Sequence, residues 1–332
     1  EGPAWVDMTI KDQRRQSTAV AFLKPAMERD TLTVLTDAPV TSLVFEGTRC
    51  VGVRYLHAGE PRTVRAEREV VLAAGAIDSP KLLMLSGVGD AAALDPLGIA
   101  PVVDLPGVGR NLQDHVLGAG PNYAAPGPVP VSHYNHSEVY MWARSDGRLP
   151  APDVIALYVS VPFATEALPL DGVAHGWCML SGLARPSSRG SVRLASADFR
   201  DAPVVDPNYL ATEQDRRAFS YATELARELA LHPAYADQRT REVLPGPEVE
   251  VGTPAWRSFL EKSAHTYFHP TSTCRMGTDA EAVVDAELGV YGLEGLRVAD
   301  ASVMPQITTS NTNAPSIMIG WKAAETMRRA MG

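Results

Sequence analysis

The sequence predicts an α/β domain that is interrupted by an α+β domain with an antiparallel sheet. A meander of short strands leads into a strand–turn–helix unit near residue 75, and the middle third changes to strand-like runs followed by a helix. The C-terminal part returns to a strand, a polar loop and a helix. From this pattern we expect residues 1–115 and 271–332 to form one domain and residues 116–270 to form the other.

The composition is that of a soluble globular protein. The chain has 332 residues, of which 45% are hydrophobic and 21% are charged, so it is long enough for two packed domains. The net charge of −9 arises from acids and bases mixed along the sequence, which offers no basic face to nucleic acid or to an anionic membrane. No apolar run approaches the roughly 20 residues that a membrane-spanning helix needs.

Cysteine and histidine spacing indicates neither a disulfide framework nor a metal site. Cys50, Cys178 and Cys274 are odd in number and far apart, which fits a reducing compartment, and we expect a cytoplasmic protein in which Cys274 is packed. The "HYNH" pair, His133 and His136, has no third ligand at a suitable spacing, so a solvated or lid-like loop is expected there.

The first third is expected to form a meander and a helix. Ser79 is predicted to be the N-cap of this helix, with Pro80 at the first helical position and Gly87 as the stop. The glycine pair that begins at Gly87 therefore ends a helix, and the pair that begins at Gly107 lies in a Pro-flanked loop, so neither is expected to hold a phosphate. Short runs rich in Val, Leu and Thr predict strands at about 32–36, 39–45, 50–56 and 68–74.

The middle third begins with "GAGPNYAAPGPVPV", whose Pro and Gly content predicts a linker. Strand-like runs follow at "VIALYVSV", "HGWCMLSGLARP" and "GSVRLAS", and a helix is expected near 212–231. A second helix is predicted at "TPAWRSFLEKSA", with Thr253 as N-cap and Pro254 at the first position.

After that helix the chain is expected to extend through "HTYFHP", because Pro270 biases His269 toward extended geometry. On an extended segment His265, Tyr267 and His269 would share one face. Taken without context, a histidine in such a segment is more often structural than catalytic.

The C-terminal stretch "ADASVMPQITTSNTNAPSIMIGWKAAETMRR" is typical of a loop that meets a ligand. A strand-like run ends in Asp300, a polar loop carries Asn311 and Asn313, and a helix is expected to open at Pro315. The N-terminus of that helix carries partial positive charge and would favour an anionic group. The alternative is that Asn313 is only a helix cap and Asn311 a turn residue.

Several motifs in one order resemble the glucose–methanol–choline (GMC) family of FAD-dependent oxidoreductases. The resemblance runs from about residue 14 to the C-terminus and is strongest to choline-dehydrogenase-like bacterial alcohol oxidases and dehydrogenases, because the loop contains Asn-Thr-Asn-Ala-Pro rather than a second histidine. The motifs are "GAIDSPKLLMLSGVG", "LPGVGRNLQDH", "ARPSSRGSVRL", "PVVDPNYL", "YFHPTSTCRMG" and "GLRVADASVMPQITTSNTNAPSIMIGWKAAE".

The resemblance implies that FAD is the cofactor and that a small-molecule alcohol is oxidised to a carbonyl by hydride transfer to flavin N5. His269 matches the position of the family's catalytic base, and Asn311 matches the second catalytic position, where an amide would hold the alcohol oxygen. Either O2 or a quinone would reoxidise the flavin. The flavin contacts that the resemblance implies are Val40, Gly75, Asp300, Ala301, Thr312, Asn313 and Pro315.

One departure from the family pattern is large. Family members begin with a strand, a Gly-rich loop and a helix that hold the ADP part of FAD, and no such unit stands before residue 1. The chain is therefore expected to be the C-terminal part of such an enzyme, with an N-terminal fragment of the same enzyme as its partner. The alternatives are an FAD-containing lyase of the same family and a non-catalytic fragment that folds only with its missing half.

Overall fold

The structure is a computed structural model, and it describes residues 1–130 and 135–330. Two compact units divide the chain. Unit 1 consists of Glu1–Arg15, Asp114–Ser188 and Tyr209–Phe268. Unit 2 consists of Gln16–Gln113, Arg189–Asn208 and the residues from His269 onward. Residues 1–15 therefore group with the middle of the chain, and residues 189–208 group with its two ends.

The elements are numbered in chain order over the described residues. The strands are β1 Gly2–Trp5, β2 Ile10–Lys11, β3 Arg14–Arg15, β4 Val40–Glu46, β5 Arg49–His57, β6 Glu60–Arg65, β7 Val70–Leu72, β8 Val88–Gly89, β9 Val103–Asp104, β10 Val116–Gly118, β11 Asn122–Ala124, β12 Val139–Ala143, β13 Val154–Val159, β14 Gly176–Leu183, β15 Ser191–Arg193, β16 Val204–Asp206, β17 Arg241–Leu244, β18 Ala264–Thr266 and β19 Leu296–Val298. The α-helices are α1 Lys24–Ala26, α2 Gly75–Leu85, α3 Ala91–Leu94, α4 Glu213–Leu231, α5 Pro254–Ser263 and α6 Asn313–Ala330. Shorter helical turns cover Ala19–Leu23, Asp95–Leu97, Pro233–Gln238 and Ala301–Val303.

Unit 1 is built on one antiparallel sheet. Within the described residues its strand order is β1-β12-β13-β14-β10-β18, and β11 joins β14 to β17. Helix α4 packs against β13 and β14, and its N-cap Thr212 accepts a hydrogen bond from the backbone N–H of Asp215. The side chains of Phe219 on α4 and of Trp256 and Phe259 on α5 meet in the core beside the sheet. Both helices confirm the periodic and capping signals in the sequence.

The prediction that the segment "GAGPNYAAPGPVPV" is a linker is wrong in part. Asn122–Ala124 is a strand, and Tyr123 is only 1% exposed because its ring stacks on Trp177 at a centroid distance of 4.8 Å. Proline and glycine flank this strand but do not interrupt its pairing. The composition of the segment therefore predicted a loop where aromatic packing stabilises a strand.

Unit 2 combines a three-stranded antiparallel sheet, β4-β5-β6, with the parallel pair β7 and β19. Its core contains Leu43 of β4, Leu83 of α2 and Val298 of β19, which are 3%, 0% and 0% exposed. Helix α2 packs against β4 and against the 3-10 turn Ala301–Val303. That turn therefore lies next to the helix that follows β7.

The strands of the meander differ from the predicted ones in two places. Residues 32–36 form no strand, whereas Glu60–Arg65 does. Strand β6 is exposed along its whole length and pairs with β5 alone, so it has no buried face and no apolar alternation that the sequence could show.

Helix α2 begins earlier than the sequence indicated. It starts at Gly75 rather than after Ser79, and Pro80 lies inside it. Ser79 does not cap this helix as expected, because its hydroxyl accepts a hydrogen bond from Ala74 N at 3.1 Å and donates to Asp300. The predicted stop is confirmed, since the helix ends just before Gly87.

Close packing explains why residues 87 and 107 are glycines. A Cβ atom at Gly87 would stand 2.4 Å from the carbonyl oxygen of Ala100, and one at Gly107 would stand 2.2 Å from that of Glu281. Neighbouring backbone of the same unit thus fills the space beside each glycine.

The cysteines are buried, and His136, outside the candidate site, has a polar side chain as its neighbour. Cys50, Cys178 and Cys274 are buried thiols, and burial raises the pKa of each. His136 Nδ1 lies 2.8 Å from Ser160 Oγ, and His133 lies outside the described residues. Among residues 1–130 and 135–330, no group of three His, Cys, Asp or Glu side chains is placed to hold a metal ion. In the same ranges no helix has the length and apolar character needed to cross a bilayer.

Candidate active site

The carboxyl ends of β7 and β19 meet in unit 2. The two strands are parallel neighbours, so the segments that follow them emerge at one edge of the pair. One segment leads into α2 at Gly75, and the other leads to Asp300. The backbone N–H of Ala299 donates to the carbonyl of Leu72 at 2.8 Å, which continues the pairing beyond the strands.

The Asp300 carboxylate joins these two segments. Its Oδ2 atom accepts from the backbone N–H of Gly75 at 2.9 Å and from the hydroxyl of Ser79 at 2.5 Å. Its Oδ1 atom accepts from the backbone N–H of Ser302 at 2.8 Å. A carboxylate that is 9% exposed and lies at the N-terminus of α2 is stabilised by these donors and by the positive end of the helix.

Gly75 presents open backbone at this edge. Its φ of +86° is strained for any residue with a side chain, and apart from its chain neighbours and the adjoining helix backbone no atom lies within 4 Å of the position that a Cβ would occupy. In contrast to Gly87 and Gly107, the space beside Gly75 is free of protein atoms, so a ligand can approach the main chain there.

The segment after His269 runs alongside the turn that follows Asp300. Backbone N–H groups of Ser272, Cys274 and Met276 donate in succession to the carbonyls of Ala301, Ser302 and Val303, at 3.2, 2.9 and 2.8 Å. The residues from Thr271 to Cys274 are 0% exposed. Packing within unit 2 therefore brings the His-Pro motif beside the carboxyl end of β19.

Thr273 fastens this segment to α2. Its hydroxyl donates to the carbonyl of Ala76 at 2.6 Å. In a regular helix that carbonyl would accept from the N–H of residue 80, but residue 80 is proline and has no N–H. Pro80 therefore leaves a buried acceptor for Thr273.

This arrangement predicts a compensating pair of substitutions. We expect Thr273→Val to lower the free energy of unfolding by about 1–3 kcal/mol, because the Ala76 carbonyl is then buried without a donor. Adding Pro80→Ala restores a helical N–H for that carbonyl, so the double variant should be more stable than Thr273→Val alone. Urea unfolding of the four proteins in the cycle measures this. A double variant less stable than Thr273→Val would contradict the role assigned to Pro80.

His269 and Asn311 face each other in unit 2. The Nδ2 atom of Asn311 lies 3.4 Å from the Nε2 atom of His269, and both side chains are half-buried. An amide nitrogen can only donate, so a hydrogen bond between these two atoms needs a lone pair on Nε2. A neutral imidazole beside an amide donor can accept a proton from a hydroxyl whose oxygen the amide also contacts.

The chain before His269 is not extended as expected. Phe268 has a φ of +59°, so the alternation that would place His269 on one face with His265 and Tyr267 is broken. The hydroxyl of Thr266 accepts from the backbone N–H of Phe268 at 2.8 Å, and this local bond stabilises the turn at Phe268. The ring of His265 instead has its Nδ1 atom 2.9 Å from the carbonyl of Thr266.

The asparagine loop leads directly into α6. The helix begins at Asn313, before the predicted start at Pro315, and it packs against the turn Ala301–Val303. Thr312 is 8% exposed, and its carbonyl accepts from the backbone N–H and the hydroxyl of Ser316 at 3.1 and 2.7 Å. Asn313 is exposed at the helix N-terminus, while Pro315 is half-buried. The positive end of α6 thus lies in the same unit as Gly75 and Asp300.

The structure connects most of the site residues predicted from the sequence, either to one another or to the same segments. Asp300 bonds Gly75, Ala301 bonds the His269 segment, and Asn311 contacts His269. Val40 lies elsewhere in unit 2, at the first position of β4 opposite Tyr55, and is 38% exposed. Sequence reasoning missed Ser79 and Thr273 as links of this site, because their partners lie 221 and 197 residues away in the chain.

The fold and this site define an oxidoreductase family. Models described as GMC oxidoreductase match residues 1–117 and 186–320, and the chain belongs to this family. FAD is the cofactor of the family. The motifs in the sequence had predicted this membership, and it is confirmed.

Among curated proteins, the chain is similar to choline dehydrogenases. It is 42% identical to the oxygen-dependent choline dehydrogenase of Pseudomonas fluorescens (strain SBW25) over 99% of this chain and 62% of the relative. It is 37% identical to the mitochondrial choline dehydrogenase of Homo sapiens over 99% of this chain and 59% of the relative. The chain thus spans about three fifths of the length of these relatives.

The fold is similar to that of solved GMC structures with mixed α/β content and antiparallel sheets. Pyridoxine 4-oxidase from Mesorbium loti matches with a TM-score of 0.91 and 37% identity, over 96% of this chain and 63% of that structure. A fungal aryl-alcohol oxidase matches with a TM-score of 0.82 and 22% identity, over 100% of this chain and 67% of that structure, which shows the fold alone.

Proposed function

We propose that this chain takes part in the FAD-dependent oxidation of an alcohol to the carbonyl compound. The observation that carries the proposal is the 3.4 Å separation of His269 Nε2 and Asn311 Nδ2. Two nitrogens this close can both contact one hydroxyl oxygen at hydrogen-bond distances of about 2.8 Å. FAD, when bound, supplies the acceptor for the hydride that leaves the carbinol carbon.

His269 is the base in this proposal. Its neutral imidazole accepts the hydroxyl proton at Nε2, while the Asn311 N–H donates to the oxygen as negative charge develops there. Asn311 cannot accept the proton in place of His269, because an amide is not a base at neutral pH. The alcohol would therefore lose its proton to His269, and bound FAD would supply the hydride acceptor.

The residues present fit FAD. Gly75 offers open backbone at the position of a Cβ, and the N-terminus of α6 offers N–H groups and partial positive charge to an anionic group. Asn313 would add an amide, and the α6 N-terminus would stabilise the negative charge that a flavin gains on reduction. The residues that would hold FAD are Val40, Gly75, Asp300, Ala301, Thr312, Asn313 and Pro315.

Unit 2 would be part of the flavin-binding domain and unit 1 the substrate-binding domain that interrupts it. The grouping of residues 16–113 with those from 269 onward supports the first assignment. The remaining assignments of the sequence-based scheme, with the domain limits at 1–115, 116–270 and 271–332, stay predictions, as does a cytoplasmic location.

The substrates named for the relatives are the alcohols to test first. Anaerobic addition of choline or pyridoxine to the FAD-loaded enzyme should bleach the flavin absorbance, and readmission of O2 or addition of a quinone should restore it. A flavin that stays oxidised with these and with a panel of primary alcohols would contradict alcohol oxidation. Turnover without bleaching would instead support a lyase.

We also propose that tight FAD binding needs residues beyond these 332, because the chain spans about three fifths of the length of its relatives. Those relatives are single proteins, so they do not support the separate N-terminal fragment expected as a partner. Phe22, Met318 and Trp321 of unit 2 are 47%, 52% and 58% exposed, and the rings of Phe22 and Trp321 meet edge-on at 6.4 Å. Large apolar side chains that are exposed and lie together, as Phe22 and Trp321 do, are often covered by another segment or partner.

We therefore expect the 332-residue chain alone to lose FAD during gel filtration. The measurement is the flavin-to-protein ratio of the eluted peak, with mass spectrometry showing that no second polypeptide is present. Stoichiometric FAD in that peak would show that these residues suffice. In that case the non-catalytic-fragment alternative would fail as well.

A further inference from the structure

Gln113 is a buried residue of unit 2 whose backbone holds the segment that carries His269. It is 1% exposed and forms an isolated antiparallel bridge with Thr271. The Gln113 N–H donates to the Thr271 carbonyl at 3.2 Å, and the Thr271 N–H donates to the Gln113 carbonyl at 2.8 Å. The Thr271 hydroxyl also donates to the Gln113 carbonyl, at 3.2 Å. Since Thr271 stands two positions after His269, the bridge fixes the chain immediately beyond the histidine.

The side chain of Gln113 holds the loop that carries Asn311. Its Nε2 atom donates to the carbonyl of Pro305 at 3.3 Å, and its Oε1 atom accepts from the backbone N–H of Ile307 at 3.1 Å. Ile307 is 4% exposed, so this pairing is buried. The loop then continues through Thr308, whose hydroxyl donates to the Ser310 carbonyl at 2.8 Å, and reaches Asn311.

The two hydrogen bonds at this position suit an amide. A single side chain must donate to a carbonyl and accept from an N–H two residues further along, and a neutral amide does both at once. An ionised glutamate cannot donate, and leucine can do neither. Leaving the Pro305 carbonyl and the Ile307 N–H buried without partners would be unfavourable and would release the loop.

We propose that Gln113 is a positioning residue that sets the distance between His269 and Asn311. The backbone of Gln113 hydrogen-bonds to the segment that carries His269, and its side chain hydrogen-bonds to the loop that carries Asn311. It acts through these two residues, and the inference rests on the function proposed for them. An alcohol oxygen can be shared between base and amide only while both are held at this separation.

The first test is hydrogen exchange, which needs neither FAD nor turnover. In Gln113→Leu, peptides covering residues 305–311 should exchange faster than in wild type, because the Ile307 N–H has lost its acceptor. Asn122→Leu is a matched control. Asn122 is also 1% exposed, and its amide donates to the Phe163 carbonyl at 3.0 Å and accepts from the Phe163 N–H at 2.9 Å, all within unit 1. Exchange of residues 305–311 should be unchanged in that control.

The second test measures catalysis in the FAD-loaded enzyme by anaerobic stopped flow with choline or pyridoxine, whichever bleaches the wild type. A misplacement on the scale of 1 Å is expected to slow flavin reduction by roughly 10- to 100-fold at saturating alcohol, with little change in the half-saturating concentration. Asn122→Leu should reduce its flavin at the wild-type rate even if its melting temperature falls.

A double-variant cycle separates positioning from general destabilisation. If Gln113 acts through Asn311, adding Gln113→Leu to Asn311→Ala should slow flavin reduction much less than it does in the wild-type background. Should Gln113→Leu fail to fold, Gln113→Asn keeps the amide but is one methylene too short, and it should show the same non-additivity.

The outcomes are distinguishable from a failure of the proposed function. Normal flavin reduction in Gln113→Leu and Gln113→Asn, or fully multiplicative effects with Asn311→Ala, would overturn the positioning role while leaving the base and amide roles intact. Unchanged reduction rates in His269→Ala and Asn311→Ala would instead overturn the proposed function. Unchanged exchange of residues 305–311 in Gln113→Leu would show that the side chain does not hold the loop.

Discussion

In the FAD-loaded enzyme, His269→Ala is expected to reduce its flavin roughly 10²–10⁴ times more slowly than wild type, the scale on which a positioned general base contributes. The reason is that the variant has no group at Nε2 to accept the hydroxyl proton. Anaerobic stopped flow with the reducing alcohol measures the rate directly. Because only a neutral imidazole accepts a proton, the wild-type rate should rise with pH through one ionisation and then level off. That ionisation should be absent from His269→Ala.

His265→Ala is the control for this prediction. His265 precedes His269 by four positions, and its ring lies against Phe163 and Phe268 at centroid distances of 6.2 and 5.7 Å. We expect this variant to reduce its flavin at nearly the wild-type rate and to keep the ionisation. A large loss in His265→Ala together with normal reduction in His269→Ala would overturn the assignment of the base, and with it the placement of the His-Pro motif in the active site.

The second large effect is expected for Asn311→Ala. Loss of one preorganised donor to a developing oxyanion should slow flavin reduction by roughly 10²-fold or more. The flavin content should stay the same, because Asn311 faces the alcohol in the proposed arrangement. Asn313→Ala should behave differently, since Asn313 lies at the N-terminus of α6 and would contact the flavin. Its expected result is a lower flavin content or a shifted flavin spectrum.

Rates and flavin contents of the two variants decide between these roles. Equal reduction rates for wild type and Asn311→Ala would remove Asn311 from the mechanism. Loss of flavin from Asn311→Ala, with normal content in Asn313→Ala, would exchange the roles of the two asparagines. The pH profile of Asn311→Ala should keep the ionisation of His269, because the amide donor is not the base.

Hydrogen bonds from three further residues hold the segments around His269 and Asn311. Asp300 links the ends of the parallel strands, Thr273 ties the His269 segment to α2, and Gln113 ties that segment to the asparagine loop. All of these bonds lie within unit 2. A site held by buried hydrogen bonds keeps its geometry before a ligand arrives, so less ordering has to accompany binding.

Part of the fold and the site could be predicted from the sequence because the relevant forces act over a few residues. The N-caps Thr212 and Thr253 each bond a backbone N–H three positions ahead, and the apolar periodicity of α4 and α5 follows from helix geometry. The His-Pro and Asn-Thr-Asn motifs are likewise contiguous. Their order along the chain was enough to predict the GMC family and its cofactor.

Tertiary structure alone decided how those pieces are held. The start of α2 at Gly75 depends on Asp300, which is 225 residues away, and Pro80 is accommodated inside the helix because Thr273 supplies the donor that proline lacks. Likewise, β11 forms among prolines and glycines because Tyr123 stacks on Trp177, and the left-handed Phe268 breaks the extended run expected before Pro270. Hydrogen bonds and ring contacts between residues far apart in the chain leave no periodicity and no local motif. The sequence by itself therefore determined which residues could carry the chemistry, while long-range packing in unit 2 decided that His269 and Asn311 stand 3.4 Å apart.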